Sequence, residues 1–332
     1  MLWGCALGLV AGMALLAWSA NLFVGNAAQL ARRFGVSTFI VGMFIVGFGT
    51  SLPEMMVSLF SALEGNPSIA LGNAYGSNVA NILLILGISV LLKPMAVSPA
   101  AVKRDLPILA AVTVISGVLL VDGELGRGDA AVLIGAFILW TLWDIKTAKE
   151  GASAPEAEAA ETPAVARGRS VASIAACVVL GLVMLVFSSR LLVVSAVKLA
   201  TAAKVPDLVI GLTVVAVGTS LPELASSVAA AAKGENDLAI GNIIGSNIFN
   251  TLAVVGIACA VKPMTDAGSV EVIARVVARD YPVMVGATAL MCFLCALRRK
   301  GRDAVIGRFA GAVFLACYLA YIAVLAREAL AK

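Results

Sequence analysis

Two glutamates, Glu54 and Glu223, lie near the middle of long apolar stretches of the sequence and are 169 positions apart. Thr50 and Ser51 precede the first glutamate by about one helical turn, and the second copy repeats this arrangement. Ionisable groups are costly inside a lipid bilayer and mark functional sites there. Carboxylate and hydroxyl oxygens that share one helix face are ligands for hard cations.

Both glutamates belong to a motif of two parts that occurs twice. The first part reads Gly-Thr-Ser-Leu-Pro-Glu and the second reads Gly-Asn-x-x-Gly-Ser-Asn; they cover 49–54 and 72–78 in the first copy, and 218–223 and 241–247 in the second. Asn81 and Asn250 follow the second part in each copy. The spacing predicts that Ser77 shares a helix face with Asn81, as Ser246 does with Asn250.

A proline precedes each glutamate. Pro53 and Pro222 remove one backbone donor and displace the carbonyl four residues earlier, at Gly49 and Gly218. Such carbonyls are tolerated in a membrane only where protein or a polar cavity satisfies them. Together with the carboxylates, hydroxyls and amides they form an all-oxygen surface, which suits Ca²⁺. The chain contains no histidine, which excludes imidazole-based transition-metal sites.

The charge of the two glutamates bears on what the site could do. Two facing carboxylates balance one divalent cation. Without that ion the pair would need monovalent cations or protons, because a lone anion is unstable in the membrane. An empty charged site resists movement and either ion load relieves it, which is a physical basis for exchange. This reasoning leaves Na⁺ and H⁺ open as the second ion.

The surrounding sequence predicts an all-α membrane protein. The chain is 61% hydrophobic and 13% charged, with a mean hydropathy of +1.01, which excludes a soluble globular protein. A spanning helix needs about 20 mostly apolar residues. About ten segments meet this need, near 3–30, 38–63, 68–92, 105–122, 129–147, 171–202, 207–232, 237–261, 276–297 and 304–328.

The sequence divides into two repeats, 1–147 and 171–332, joined by a hydrophilic linker at 148–170. The register of 169 holds without a gap for more than 50 residues around the motifs. Each half holds five predicted helices, and an odd number means that the second half crosses the membrane in the opposite sense. Inverted repeats are a recurrent plan of transporters, with the site at the midplane between the halves.

The distribution of basic residues predicts the orientation. If the loops after the odd-numbered helices face the cytoplasm, 14 Lys and Arg residues lie on that side and 7 on the other. This arrangement places the linker in the cytoplasm and both termini on the outer face.

At the two motifs the sequence resembles the calcium/cation antiporter superfamily, in its sodium/calcium exchanger branch of prokaryotic type. The motifs match the α-repeats of that family, and the resemblance implies one central cation site visited alternately by Na⁺ and Ca²⁺. It further implies that Glu54 and Glu223 bind Ca²⁺, while hydroxyls and carbonyls serve Na⁺, and that the first and sixth helices slide over a fixed core. The positions carried over are Gly47, Thr50, Ser51, Glu54, Ser77, Asn81, Ala216, Thr219, Ser220, Glu223, Ser246 and Asn250.

The resemblance also sets the alternatives. Some relatives carry Asp where this chain has Asn250, including K⁺-dependent exchangers, so an amide there disfavours K⁺ co-transport. H⁺-coupled antiport in the same fold remains the nearest rival. An intramembrane enzyme fits the near-symmetric glutamates less well, and a passive channel would differ by showing flux without dependence on a counter-ion. We expect a monomer in the prokaryotic inner membrane whose partners are Na⁺, Ca²⁺ and lipid, with no cofactor, no enzyme activity and no nucleic-acid partner.

Overall fold

The computed structural model describes residues 2–65, 67–151, 170–203, 216–297 and 304–330. Within these ranges each predicted spanning segment corresponds to a helix. The helices are α1 (Leu2–Phe34), α2 (Thr38–Leu63), α3 (67–92), α4 (101–119), α5 (Arg127–Gly151), α6 (Val171–Ala202), α7 (Ala216–Thr219 and Leu221–Lys233), α8 (Asn236–Val261), α9 (Ala267–Ala296) and α10 (Arg308–Leu330).

Eight of these helices are long and apolar enough to cross a membrane by length and composition, counting only the described residues. The remaining two are α4, which carries Lys103, Arg104 and Asp105 near its start, and α7, of which 207–215 lies outside the described residues. The predicted linker at 148–170 also lies mostly outside them, although α5 continues to Gly151. The chain is an all-helical membrane protein built as two inverted five-helix repeats.

The start of α9 differs from the prediction, which placed it at 276. The helix begins at Ala267 because Asp266 caps it, its Oδ1 accepting the N–H of Ser269 at 3.0 Å. The same backbone hydrogen bond lowers the pKa of Asp266. The first nine residues of this helix include Glu271 and Arg275, which kept its apolar signal low.

The prediction of a helix from 304 is wrong at its first residues. The strand β2 (Ala304–Ile306) pairs antiparallel with β1 (Met95–Val97), and Met95 lies opposite Ile306. A matching bridge joins Leu125 to Met264. Met264 is the repeat equivalent of Met95, and Leu125-Gly-Arg resembles Ile306-Gly-Arg. Each half therefore contributes one strand to each pair, as an inverted repeat requires.

The Arg-Asp pairs of α4 and α9 are also equivalent. Nε of Arg104 lies 2.8 Å from Oδ1 of Asp105, and the same guanidinium reaches Asp144 of α5 at 3.1 Å. In the second half, Arg279 binds Asp280 at 2.8 Å, and Asp280 accepts a 2.8 Å hydrogen bond from Tyr321 of α10. Both pairs anchor one helix to the next.

The two long helices α1 and α6 cross each other reciprocally. Gly12 of α1 packs against Leu192, and its repeat equivalent Gly181 of α6 packs against Phe23. A Cβ atom at Gly181 would lie 2.8 Å from the backbone of Phe23. The absence of side chains at these glycines therefore permits the close crossing.

The centre of the molecule is formed by α2, α3, α7 and α8. In the apolar 18-residue stretch of α8, 89% of the residues are buried, and in that of α3 72% are buried. Gly241 of α8 lies so close to α2 that a Cβ atom would overlap the carbonyl of Phe39. The backbones of α2 and α8 are thus in direct contact, and this contact holds the two motif copies together.

Candidate metal-binding site

The two glutamates lie at the contact between the halves. Their residues are 1% (Glu54) and 3% (Glu223) exposed, although both helices are otherwise apolar. The hydroxyl of Ser51, one turn before Glu54, donates a 3.2 Å hydrogen bond to Oε1 of Glu223. This hydrogen bond places the Glu223 carboxylate beside the helical turn that carries Glu54.

Two further hydrogen bonds join the two halves. Ser220 of α7 donates to the hydroxyl oxygen of Ser77 on α3 at 3.4 Å. Ser246 of α8 donates to the carbonyl of Gly47 on α2, also at 3.4 Å. All four of these residues are buried, so the predicted serines and the predicted carbonyl meet in one polar region inside the helix bundle.

Asn242 links the two copies through a network of its own. Its Oδ1 accepts a hydrogen bond from Thr50 of the other half at 3.2 Å. Its Nδ2 donates to Ser227 at 2.8 Å, to Ser226 at 3.1 Å and to the backbone carbonyl of Glu223 at 3.4 Å. The side chain of Asn242 therefore fixes the backbone that carries one glutamate and also holds a hydroxyl from the opposite repeat.

The first half contains the equivalent of this support. Asn73, the repeat partner of Asn242, donates to Ser58 at 3.2 Å and to the backbone carbonyl of Glu54 at 3.4 Å. Each glutamate is thus held by an asparagine of the following helix. Both asparagines therefore bond between helices.

Several buried oxygens near the glutamates have no hydrogen-bond partner among the described residues. They are Oε1 and Oε2 of Glu54, Oε2 of Glu223, and Oδ1 of Asn81 and of Asn250. A buried polar group without a partner is destabilising, and a buried anion more so. Nδ2 of Asn81 is also without a partner, but the five atoms named above are oxygens, and a hard cation is a partner that suits oxygens.

The other predicted ligands of the second repeat lie in the first described turn of α7. Ala216 is the first described residue of α7, and Thr219 ends the same short helical stretch and is partly exposed. The carbonyl of Gly218, which Pro222 displaces, accepts a 2.9 Å hydrogen bond from Ser189 of α6. This carbonyl therefore already has a protein partner.

Short π-helical turns occur where the predicted ligands lie. One covers Gly42–Gly47, just before Thr50, and two others, Ala80–Leu86 and Asn250–Val254, hold the equivalent residues Asn81 and Asn250. Such turns are frequent at functional sites because they shift the helix face that the following side chains occupy. No sequence signal predicted them.

Among the described residues, no group of three or more His, Cys, Asp or Glu side chains is placed to hold a metal ion. The region around Glu54 and Glu223 combines two carboxylates with hydroxyl, amide and carbonyl oxygens. Such a donor set excludes a thiolate or imidazole cage and suits Na⁺ or Ca²⁺.

Comparison with known proteins gives one consistent result. A family model described as "Sodium/calcium exchanger protein" matches residues 5–146 and 173–327. The putative antiporter CaxA of Alkalimonas amylolytica is 40% identical over 93% of this chain and 95% of its own length. The inner membrane protein YrbG of Escherichia coli is 37% identical over 96% and 95%. A solved structure of the sodium-calcium exchanger NCX_Mj, soaked with Na⁺, matches with a TM-score of 0.81 at 29% identity, covering 97% of this chain and 99% of that one.

Proposed function

The chain belongs to the sodium/calcium exchanger protein family, and from this premise we propose that it exchanges Na⁺ for Ca²⁺ at a site between Glu54 and Glu223. As a family member it is a cation/Ca²⁺ antiporter and an integral multi-pass membrane protein. The coupling ion, the site and the transport cycle are the parts that we propose.

One observation carries the site assignment. Ser51 of the first repeat binds Oε1 of Glu223 of the second at 3.2 Å, while the other carboxylate oxygen of Glu223 and both carboxylate oxygens of Glu54 have no partner among the described residues. Glu54 and Glu223 bind Ca²⁺ directly in this proposal. The flanking ligands, which also serve Na⁺, are Gly47, Thr50, Ser51, Ser77, Asn81, Ala216, Thr219, Ser220, Ser246 and Asn250.

The charge of the site explains why exchange is coupled. With both carboxylates ionised, the empty site carries two negative charges in an apolar surrounding, so movement of the helices around it is costly. Either one Ca²⁺ or a set of Na⁺ ions neutralises the carboxylates. The site therefore changes the face to which it opens only when it is loaded. This is alternating access, in which α1 and α6 move over the core of α2, α3, α7 and α8.

The remaining features of the proposal concern the setting of the protein. The two repeats span 1–147 and 171–332, and the linker at 148–170 lies in the cytoplasm. The membrane is the inner membrane of a prokaryotic cell, as the name of the Escherichia coli relative indicates for that protein. Both termini face outward, and the protein works as a monomer without a cofactor.

The coupling ion is tested by Ca²⁺ flux in proteoliposomes of the purified protein. We expect Ca²⁺ uptake to follow an outward Na⁺ gradient imposed at equal pH on both sides, and to be unaffected by a pH gradient imposed in the absence of Na⁺. Uptake that follows only the pH gradient would replace Na⁺ by H⁺ as the counter-ion, since two glutamates can also carry protons. Flux that needs neither gradient would indicate a channel.

A further inference from the structure

One end of α7 is fastened to α1. Nζ of Lys233 donates a 2.6 Å hydrogen bond to the backbone carbonyl of Asn21 in the middle of α1. Gly25 makes room for this contact, since a Cβ atom there would lie 3.0 Å from the ammonium group. Two residues beyond Lys233, Glu235 forms an ion pair with Arg32 near the end of α1. We call these contacts the α1–α7 clasp.

The equivalent clasp, between α6 and α2, is not formed. In the register of 169, Glu64 at the end of α2 corresponds to Lys233, and Arg190 of α6 corresponds to Asn21. Glu64 and Arg190 are both exposed, and neither forms an ion pair with a described residue. The helices differ accordingly, since α1 packs along Leu221–Lys233 of α7, while α6 makes few contacts with α2.

The unequal packing shows that the two repeats adopt different arrangements of the same parts. Because the halves are related by an inverted repeat, the arrangement of α1 on α7 describes a position that α6 can take on α2. We propose that in the second state of the transport cycle Arg190 pairs with Glu64, while Lys233 releases Asn21. This inference rests on the alternating access proposed above.

The chemistry of the two positions fits this exchange of partners. Lys233 is long and reaches a backbone oxygen beside a glycine, whereas Glu64 is shorter and its partner helix has Val194 where α1 has Gly25. The long side chain of Arg190 supplies the missing reach and a charge opposite to that of Glu64. An ion pair thus replaces a hydrogen bond to the backbone at the equivalent place.

In this proposal the α1–α7 clasp and the contact of Arg190 with Glu64 cannot form at the same time. The helices α1 and α6 cross closely at Gly12 and Gly181, where each glycine lets the other helix approach. The two helices therefore move as a unit in this proposal. A movement that brings α6 against the end of α2 therefore draws α1 away from the end of α7. In this proposal Glu64, Arg190 and Lys233 are positioning residues that set the balance between the two states without binding an ion.

The first experiment measures exchange after charge reversal. Arg190→Glu and Glu64→Arg each place like charges together in the second state, so we expect each to slow Ca²⁺ exchange by roughly two- to fivefold. The double variant restores the opposite charges and should recover the rate. Lys198→Glu makes the same charge change on an exposed residue of α6 and should leave the rate unchanged. Equal slowing by Lys198→Glu, or no recovery in the double variant, would overturn the proposal.

The second experiment detects the contact without depending on which ion is carried. The protein with Glu64→Cys and Arg190→Cys is treated with a short bifunctional maleimide during turnover, beside a matched protein with Asn21→Cys and Lys233→Cys. Single-cysteine variants control for the six native cysteines. We expect both pairs to cross-link and both cross-links to stop exchange. If only the pair at Asn21 and Lys233 cross-links while the wild type exchanges ions, the proposed contact of Arg190 with Glu64 is wrong. If both pairs cross-link but no Na⁺ dependence is found, only the proposed coupling to Na⁺ fails.

Discussion

At the scale of single residues, the candidate site is defined by how few charges it contains. Glu54 and Glu223 are the acidic residues among the predicted ligands, and Asn81 and Asn250 supply amides at the equivalent positions of the next helices. An amide oxygen can coordinate a cation but cannot balance its charge. A divalent cation would therefore be neutralised by the two glutamates alone, and each of them becomes indispensable.

This argument predicts the effect of removing either charge. Glu54→Gln and Glu223→Gln keep the shape of the side chain but leave a divalent ion with half of its balancing charge. Loss of one partner of a buried charge costs about 3 kcal/mol or more, so Ca²⁺ exchange should fall at least about a hundredfold in proteoliposome flux assays. Glu124→Gln, on an exposed loop residue, should exchange at the wild-type rate.

The outcome that contradicts the assignment is equally specific. If both glutamine variants insert into the membrane and exchange Ca²⁺ as the wild type does, the carboxylates do not form the site. Insertion is checked by expression level and by size-exclusion elution of the purified protein.

The sequence predicted the polar faces of the site but not their partners. Helical spacing places Ser51 beside Glu54 of its own helix, whereas its hydroxyl binds Glu223 of the other repeat. The sequence also contained no indication of the hydrogen bond that Thr50 donates to Asn242. Periodicity describes one helix at a time, and contacts between halves depend on how two helices cross. Two pairs of repeated residues belong to the supporting network, Asn73 with Asn242 and Ser58 with Ser227, but their repetition alone does not show what they bind.

At the scale of elements, small residues decide how closely the helices approach. The backbones of α2 and α8 touch at Gly241, and the glutamate of α2 and the asparagine of α8 are positioned by that contact. In membranes, where lipid removes most of the hydrophobic drive for helix association, close packing at small residues supplies much of the stability.

A single methyl group should therefore disturb this contact. A Cβ atom in Gly241→Ala would overlap the Phe39 carbonyl and lie 3.0 Å from the Met43 nitrogen. Overpacking against backbone costs about 1–3 kcal/mol, so the midpoint of thermal unfolding in detergent should fall by about 3 °C or more. In Gly286→Ala the Cβ atom meets no described atom within 4 Å, and this helix should be unchanged or slightly more stable. Equal midpoints for the two variants would contradict the role of the α2–α8 contact.

The limits of the sequence are also clearest at this scale. Hydropathy located the spanning segments because each needs about 20 apolar residues, and it failed where elements are short or mixed. The strands β1 and β2 have three residues each and lie between helices. A hydropathy average over about 20 residues cannot detect elements this short. The start of α9 carries charges and is fixed by the cap at Asp266, which is a local hydrogen bond rather than a hydropathy signal.

At the scale of the whole molecule, the inverted repeat is visible in contacts that no single half could make. The strand pair Met95–Ile306 and the bridge Leu125–Met264 each join one segment from either repeat. Equivalent residues thus meet at two separate places. An odd number of helices in each repeat puts these two places on opposite faces of the membrane.

We predict the orientation of these faces from the distribution of charge. The loops after the odd-numbered helices carry twice as many Lys and Arg residues as the other loops, 14 against 7, and short basic loops are retained in the cytoplasm. Alkaline phosphatase fused after Lys332 should therefore be active, because that enzyme folds only outside the cytoplasm. The same enzyme fused after Gly151 should be inactive there, while a fluorescent protein that folds in the cytoplasm should give signal after Gly151 only. The reverse pattern at both positions would invert the topology and would place Arg190 and Glu64 on the cytoplasmic side.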